Sequence, residues 1–84
     1  MPTLSQFYGI IIKMYFQKME HEPPHIHIFY GGYEAEVSIE TGKVIAGRLP
    51  VKVAKLVKKW TIIHGQELLE IWRTQQFKKI KPLE

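Results

Sequence analysis

Tyr33, Ala35, Val37 and Ile39 alternate without a break against Glu34, Glu36, Ser38 and Glu40. A period of two sends the two sets to opposite faces of an extended chain, so this segment predicts a β-strand over 33–40 with one buried and one wet face. Just before it, Gly31-Gly32 supplies two residues that tolerate the positive φ angles of a tight hairpin turn. His25 to Tyr30 therefore reads as the preceding strand. β-branched and aromatic positions predict an earlier strand over 9–16, and the polar loop Gln17 to Pro24 separates it from the next one. Thr41-Gly42 makes a second tight turn into a short strand over 43–46, with Glu40 and Lys43 flanking it as opposite charges.

Beyond Pro50 the period changes. Val53, Val57, Trp60, Leu68, Ile71 and Trp72 recur near every 3.6 residues and form one apolar stripe. Pro50 suits a first helical turn, where its missing N–H costs nothing. Gly65 interrupts the stripe at a cost of about 1 kcal/mol relative to alanine. The stripe keeps its phase across Gly65, which predicts one long helix over 50–76, bent at that residue. The competing reading is two helices with Gly65 as a C-cap. The tail Lys78 to Glu84 ends the helix and is expected against a sheet edge. The order predicts an α+β fold: an antiparallel three- to four-stranded β-meander followed by one long C-terminal helix packed on one face. No repeat, low-complexity tract or linker interrupts the chain, so 1–84 reads as a single domain.

Composition narrows the chemistry. The 84 residues include no cysteine, which removes disulfides and thiolate metal sites. The longest apolar run, Phe7 to Ile12, stops at Lys13 and is far too short to span a bilayer. The N-terminus lacks the basic and apolar regions of a signal peptide, so the expectation is a soluble, cytoplasmic protein without membrane contact. The net charge is +4, which permits a nucleic-acid or acidic partner without requiring one. Lys52, Lys55 and Lys59 recur at helical spacing beside Lys58 and are candidates for phosphate contacts. No helix-turn-helix or zinc-finger pattern accompanies them, and a solvated face opposite the apolar stripe is the plainer account. Trp60 and Trp72 belong to that stripe and read as core.

The richest chemistry lies in His21-Glu22-Pro23-Pro24-His25-Ile26-His27, three of the four histidines within seven residues. On a strand His25 and His27 share one face, and Ile26 and Ile28 share the other. If Gly31 and Gly32 are the turn, Tyr30 faces Tyr33, Phe29 faces Glu34, Ile28 faces Ala35, His27 faces Glu36, Ile26 faces Val37 and His25 faces Ser38. Glu36 then sits where a carboxylate can orient an imidazole. Three readings stay open. His21, His25 and His27 are nitrogen ligands for zinc, copper or nickel, completed by a carboxylate or water. Alternatively His25 and His27 are acid and base on a phosphodiester, with Glu36 orienting His27 and a lysine stabilising charge. Or the cluster is structural, one histidine stacking on Phe29 or Tyr15. His64, on the helix, belongs to another environment.

Phe7-Tyr8-Gly9-Ile10, the Pro23-Pro24-His25-x-His27 signature, Tyr30-Gly31-Gly32-Tyr33-Glu34-Ala35, Leu49-Pro50 and Lys79-Ile80-x-Pro82-Leu83 together resemble a small bacterial family, domain of unknown function 4160. The resemblance implies a cytoplasmic bacterial protein whose gene stands beside that of a second small protein, in a manner similar to toxin–antitoxin pairs. It brings no established catalytic residues. The leading expectation is a toxin–antitoxin-type component that binds or cleaves RNA or DNA, with His25 and His27 as the functional pair and Lys52, Lys55 and Lys59 on phosphates. The alternative is a non-catalytic metal-binding or protein-interaction module using the same histidines. A small cognate protein from the adjacent gene is the expected partner, and a homodimer is compatible with the β-rich edge.

Overall fold

The structure, a computed structural model, describes residues 3–15 and 23–83. Five strands, β1 (Thr3–Phe7), β2 (Ile10–Lys13), β3 (His25–Tyr30), β4 (Tyr33–Ser38) and β5 (Val44–Gly47), precede two helices, α1 (Val51–Ile63) and α2 (Gly65–Thr74). The strands form one sheet in chain order, and every neighbouring pair is antiparallel. The α+β class and the meander stand. The count of three to four strands is corrected to five, and the single helix to two.

The extra strand comes from a turn hidden inside the predicted 9–16 segment. Tyr8 and Gly9 both take positive φ, 51° and 78°, and Phe7 pairs with Ile10. Tyr8-Gly9 is thus a two-residue hairpin turn. Gly9 fits such a turn, but Tyr8 does not advertise it, because a tyrosine in left-handed geometry is uncommon. β2 accordingly runs only to Lys13, and β1 lies upstream in a stretch whose alternation is broken by an irregular register between Thr3 and Ser5.

All six expected pairs of the central hairpin are present, from His25 with Ser38 to Tyr30 with Tyr33. The rows continue outward. Ile12, Ile28 and Ala35 align across β2, β3 and β4, while Lys13, His27, Glu36 and Ala46 form a row on the opposite face from β2 to β5. α1 covers the first face. Ile10, Ile12, Ile26, Ile28 and Val37 share a core with Val53, Val57 and Trp60 of α1 and with Leu68 and Ile71 of α2.

The helical stripe does keep its phase, as the burial of Val53, Val57, Trp60, Leu68 and Ile71 shows, yet the helix breaks at His64 (φ −105°, ψ 19°). Gly65 opens α2 and caps nothing. Glu67 in the first turn of α2 accepts a hydrogen bond from His64 Nδ1 at 2.7 Å, which ties the side chain at the joint to the helix that follows. α2 closes at Gln75 in left-handed geometry, short of the expected residue 76. The tail does lie on a sheet edge: Ile80 N–H donates to Leu4 O at 2.9 Å, and the Trp60 indole donates to Lys81 O at 2.8 Å. Among the described residues no helix is long and apolar enough to cross a membrane.

Candidate metal centre

The site begins with two prolines that fix where β3 starts. Proline has no N–H to give a ladder, but its carbonyl still accepts. Pro24 O receives the Ile39 N–H at 3.0 Å, which carries the β3–β4 pairing one residue beyond the strand and locks the chain entering His25. Pro23 O accepts from His25 Nδ1 at 2.9 Å. A carbonyl offers only lone pairs, so Nδ1 carries a proton. The Pro-Pro pair therefore selects the ring face of His25 as well as its backbone. Nε2 is left facing the Glu36 carboxylate, with Oε1 3.7 Å away.

His27 follows two residues on, and its ring centroid lies 5.1 Å from that of His25. Tyr15 stacks on His27 at 4.0 Å with planes 23° apart. Trp72 of α2 packs against His25 at 5.1 Å, so α2 meets β3 at its first residue. These aromatic walls explain a departure from the expected wet face. His25 is 1% and His27 6% exposed, whereas Glu36 keeps 31% of its surface. Glu36 is the side of the cluster that solvent reaches.

One ligand atom from each of His25, His27 and Glu36 lies within 4.8 Å of the others. The register pairs Glu36 with His27, yet its carboxylate also reaches diagonally to His25. Two lone-pair-bearing atoms turned toward each other in a mostly buried pocket repel unless something positive sits between them, either a proton on Nε2 or a metal ion. Imidazole nitrogen and carboxylate oxygen suit zinc, copper and nickel, and a backbone carbonyl on Nδ1, as Pro23 supplies to His25, is the kind of outer partner that would orient a histidine toward a metal.

The other sequence candidates fall elsewhere. His21 lies outside the described residues. Lys52, Lys55 and Lys59 are exposed on α1. That helix covers the Ile26 and Ile28 face, so the lysine ridge and the histidine pair occupy different layers of the fold. The cation that shares the histidine row is Lys13, the register partner of His27, whose Nζ lies 5.4 Å over the Phe29 ring. Lys13 escaped the sequence reading because its register depends on the Tyr8-Gly9 turn. Trp72 was read only as core, and its contact with His25 has no local signature. His64 does occupy a separate environment. Its hydrogen bond, with further charge from His64 and Lys78, holds the Glu67 carboxyl below the usual carboxylate range, against a partial opposing effect of burial.

No curated protein and no solved structure matches the chain. One family profile does, that described as Domain of unknown function (DUF4160), over residues 9–73. The matched span runs from the first turn to the last residues of α2 and includes every member of the His25, His27 and Glu36 cluster.

Proposed function

The chain belongs to the DUF4160 family of unknown function, and we propose that it is a metal-binding module holding a divalent ion of the zinc, copper or nickel class on His25, His27 and Glu36. One observation carries this reading: three ligand atoms converge within 4.8 Å, with His25 Nδ1 already tied to a carbonyl. Ligands about 2.0–2.1 Å from a tetrahedral zinc stand about 3.3 Å apart. The 3.7 Å between His25 Nε2 and Glu36 Oε1 needs only a small contraction to reach that spacing. Water reaching the Glu36 side supplies a fourth ligand, and His21 is a candidate for the same position from its place in the sequence.

Metal content measured on protein purified without a polyhistidine tag tests the reading. The expected result is a stoichiometric ion, lost in His27→Ala and in His25→Ala. Metal-free protein that also fails to bind added zinc, copper or nickel overturns it. Both rings also pack on an aromatic, His25 on Trp72 and His27 on Tyr15, so a thermal scan of each variant separates loss of a ligand from loss of the fold.

A second reading is supported by Lys13. A nucleic-acid-acting component of a two-gene module needs a cation beside its histidines, and Lys13 stands in the His27 row. In that reading Lys13 takes the phosphate role first given to Lys52, Lys55 and Lys59. The burial of both rings weighs against it, since a phosphodiester must reach an acid and a base directly. Growth arrest on expression, relieved by His27→Ala and by Lys13→Ala, supports this second reading; normal growth removes it.

A further inference from the structure

The two edges of the sheet are treated differently. β1 is covered by the C-terminal segment through the Ile80 to Leu4 hydrogen bond. β5 is last in the strand order, and among the described residues no backbone hydrogen bond reaches its outer side. Val44, Ile45, Ala46 and Gly47 are all exposed, with Ile45 at 45%. An open edge is a template for another strand, and proteins usually blunt it with charge, proline or bulges. β5 contains neither a charge nor a proline. Its register irregularity, at Glu36–Val37, lies on the side facing β4.

A groove of about 300 Å³ runs beside this edge, lined by Val44 of β5, by Leu49, and by Val51 and Ala54 of α1, with Lys55 and Lys58 on its rim. Val44 pairs with Val37, so it lies on the helix-covered face and points along the groove floor. Val51 is 71% exposed, an unusual position for an apolar side chain next to an uncovered strand.

We propose that the β5 edge receives an extended, acidic segment of a partner protein by strand addition. The added backbone continues the sheet beyond β5. Its alternate apolar side chains enter the groove between β5 and α1, and its acidic side chains meet Lys43, Lys55 and Lys58. Main-chain hydrogen bonds supply affinity in this mode and pockets for alternate side chains supply specificity. Charge selects the partner. A second copy of this chain would bring the same lysines, and a net charge of +4, against themselves. A nucleic acid has no apolar side chains for the groove, and a bilayer offers no strand backbone. The inference is independent of the metal centre.

The probe is a fluorescein-labelled synthetic peptide of alternating valine and glutamate, followed by anisotropy, beside the same peptide with alternate amides N-methylated. The expected result is saturable binding, weakened about tenfold or more both by N-methylation and by the double variant Lys55→Glu, Lys58→Glu. Both lysines are exposed, so a thermal scan of the double variant confirms folding, and His27→Ala should bind the peptide as wild type does. Absence of binding at millimolar peptide overturns the proposal. So does equal binding of the N-methylated peptide, which reduces the effect to charge. Self-association in sedimentation that the peptide does not compete makes the occupant a second copy and also overturns it, as does equal or tighter binding of anionic phospholipid vesicles or single-stranded RNA.

Discussion

Replacing Glu36 by glutamine separates a metal ligand from a structural ion-pair partner, because the two roles predict opposite signs without metal. Glutamine keeps the size of glutamate but offers an amide N–H. Without metal that N–H donates to His25 Nε2, across the 3.7 Å now spanned by a carboxylate oxygen. A net gain of about 0.5 kcal/mol follows, at the low end for a hydrogen bond because Glu36 keeps solvent contact. For a domain of this size about 1 kcal/mol moves the melting temperature by about 5–6 °C, so the metal-free variant should melt about 3 °C higher. With zinc the sign reverses. At a free zinc concentration one hundred times the dissociation constant, the wild type gains about 2.7 kcal/mol, or about 15 °C. Loss of the carboxylate ligand should weaken binding about tenfold or more, and at the same zinc concentration the gain falls to about 1.4 kcal/mol, near 8 °C. Differential scanning calorimetry with and without zinc reads both numbers. An unchanged zinc shift in the variant refutes Glu36 as a ligand. A metal-free variant that melts several degrees below wild type refutes the facing-acceptor argument, because the carboxylate would then be paired with a protonated His25.

Two further outcomes test the frame around the site. Gly47→Ala should destabilise by about 2 kcal/mol or more in urea denaturation, because Gly47 has φ 72° and a Cβ there runs into the backbone carbonyl of Glu34; a change below about 0.5 kcal/mol would show that β5 shifts freely. Glu67 titrates below the usual carboxylate range when folded, so its contribution is present above the unfolded value and is lost as pH falls through the folded one. Wild-type stability should therefore decline in acid below about pH 4.5 more steeply than that of Glu67→Gln, with a small difference because Glu67 is 40% exposed. Parallel pH profiles of the urea midpoint would contradict the His64–Glu67 pairing.

The central hairpin was legible because two independent signals agreed there. Gly31-Gly32 set the turn, and the alternation from Tyr33 to Glu40 set the faces, so every pair from His25–Ser38 to Tyr30–Tyr33 followed. Where only one signal existed the reading faltered. The Tyr8-Gly9 turn hid because its first residue is an aromatic in a glycine-like conformation, and with it went β1 and the place of Lys13. The α1–α2 joint hid because the break preserves the phase of the apolar stripe. Periodicity reports which residues face the core and is silent on whether the backbone between them stays helical.

The burial of the histidines was the least legible feature, and it carries the most about function. Alternation on β4 implies a wet face, and for Glu34 and Glu36 that is largely what the structure has. On β3 both faces are closed, because Tyr15 and Trp72, distant from β3 in sequence, come to rest on His27 and His25. A strand buried on both sides would ordinarily carry apolar residues on both. Here the second face carries two imidazoles and a carboxylate, groups whose desolvation is unfavourable unless they are paired or ligated. An aromatic or aliphatic pair at these positions would fill the same space without that penalty. The Pro23 carbonyl accepts from one nitrogen of His25, and the other nitrogen faces the Glu36 carboxylate beside His27. A cation held among them would engage all three at once, so the proposed metal centre rests on the convergence of the ligand atoms together with the burial of the two rings.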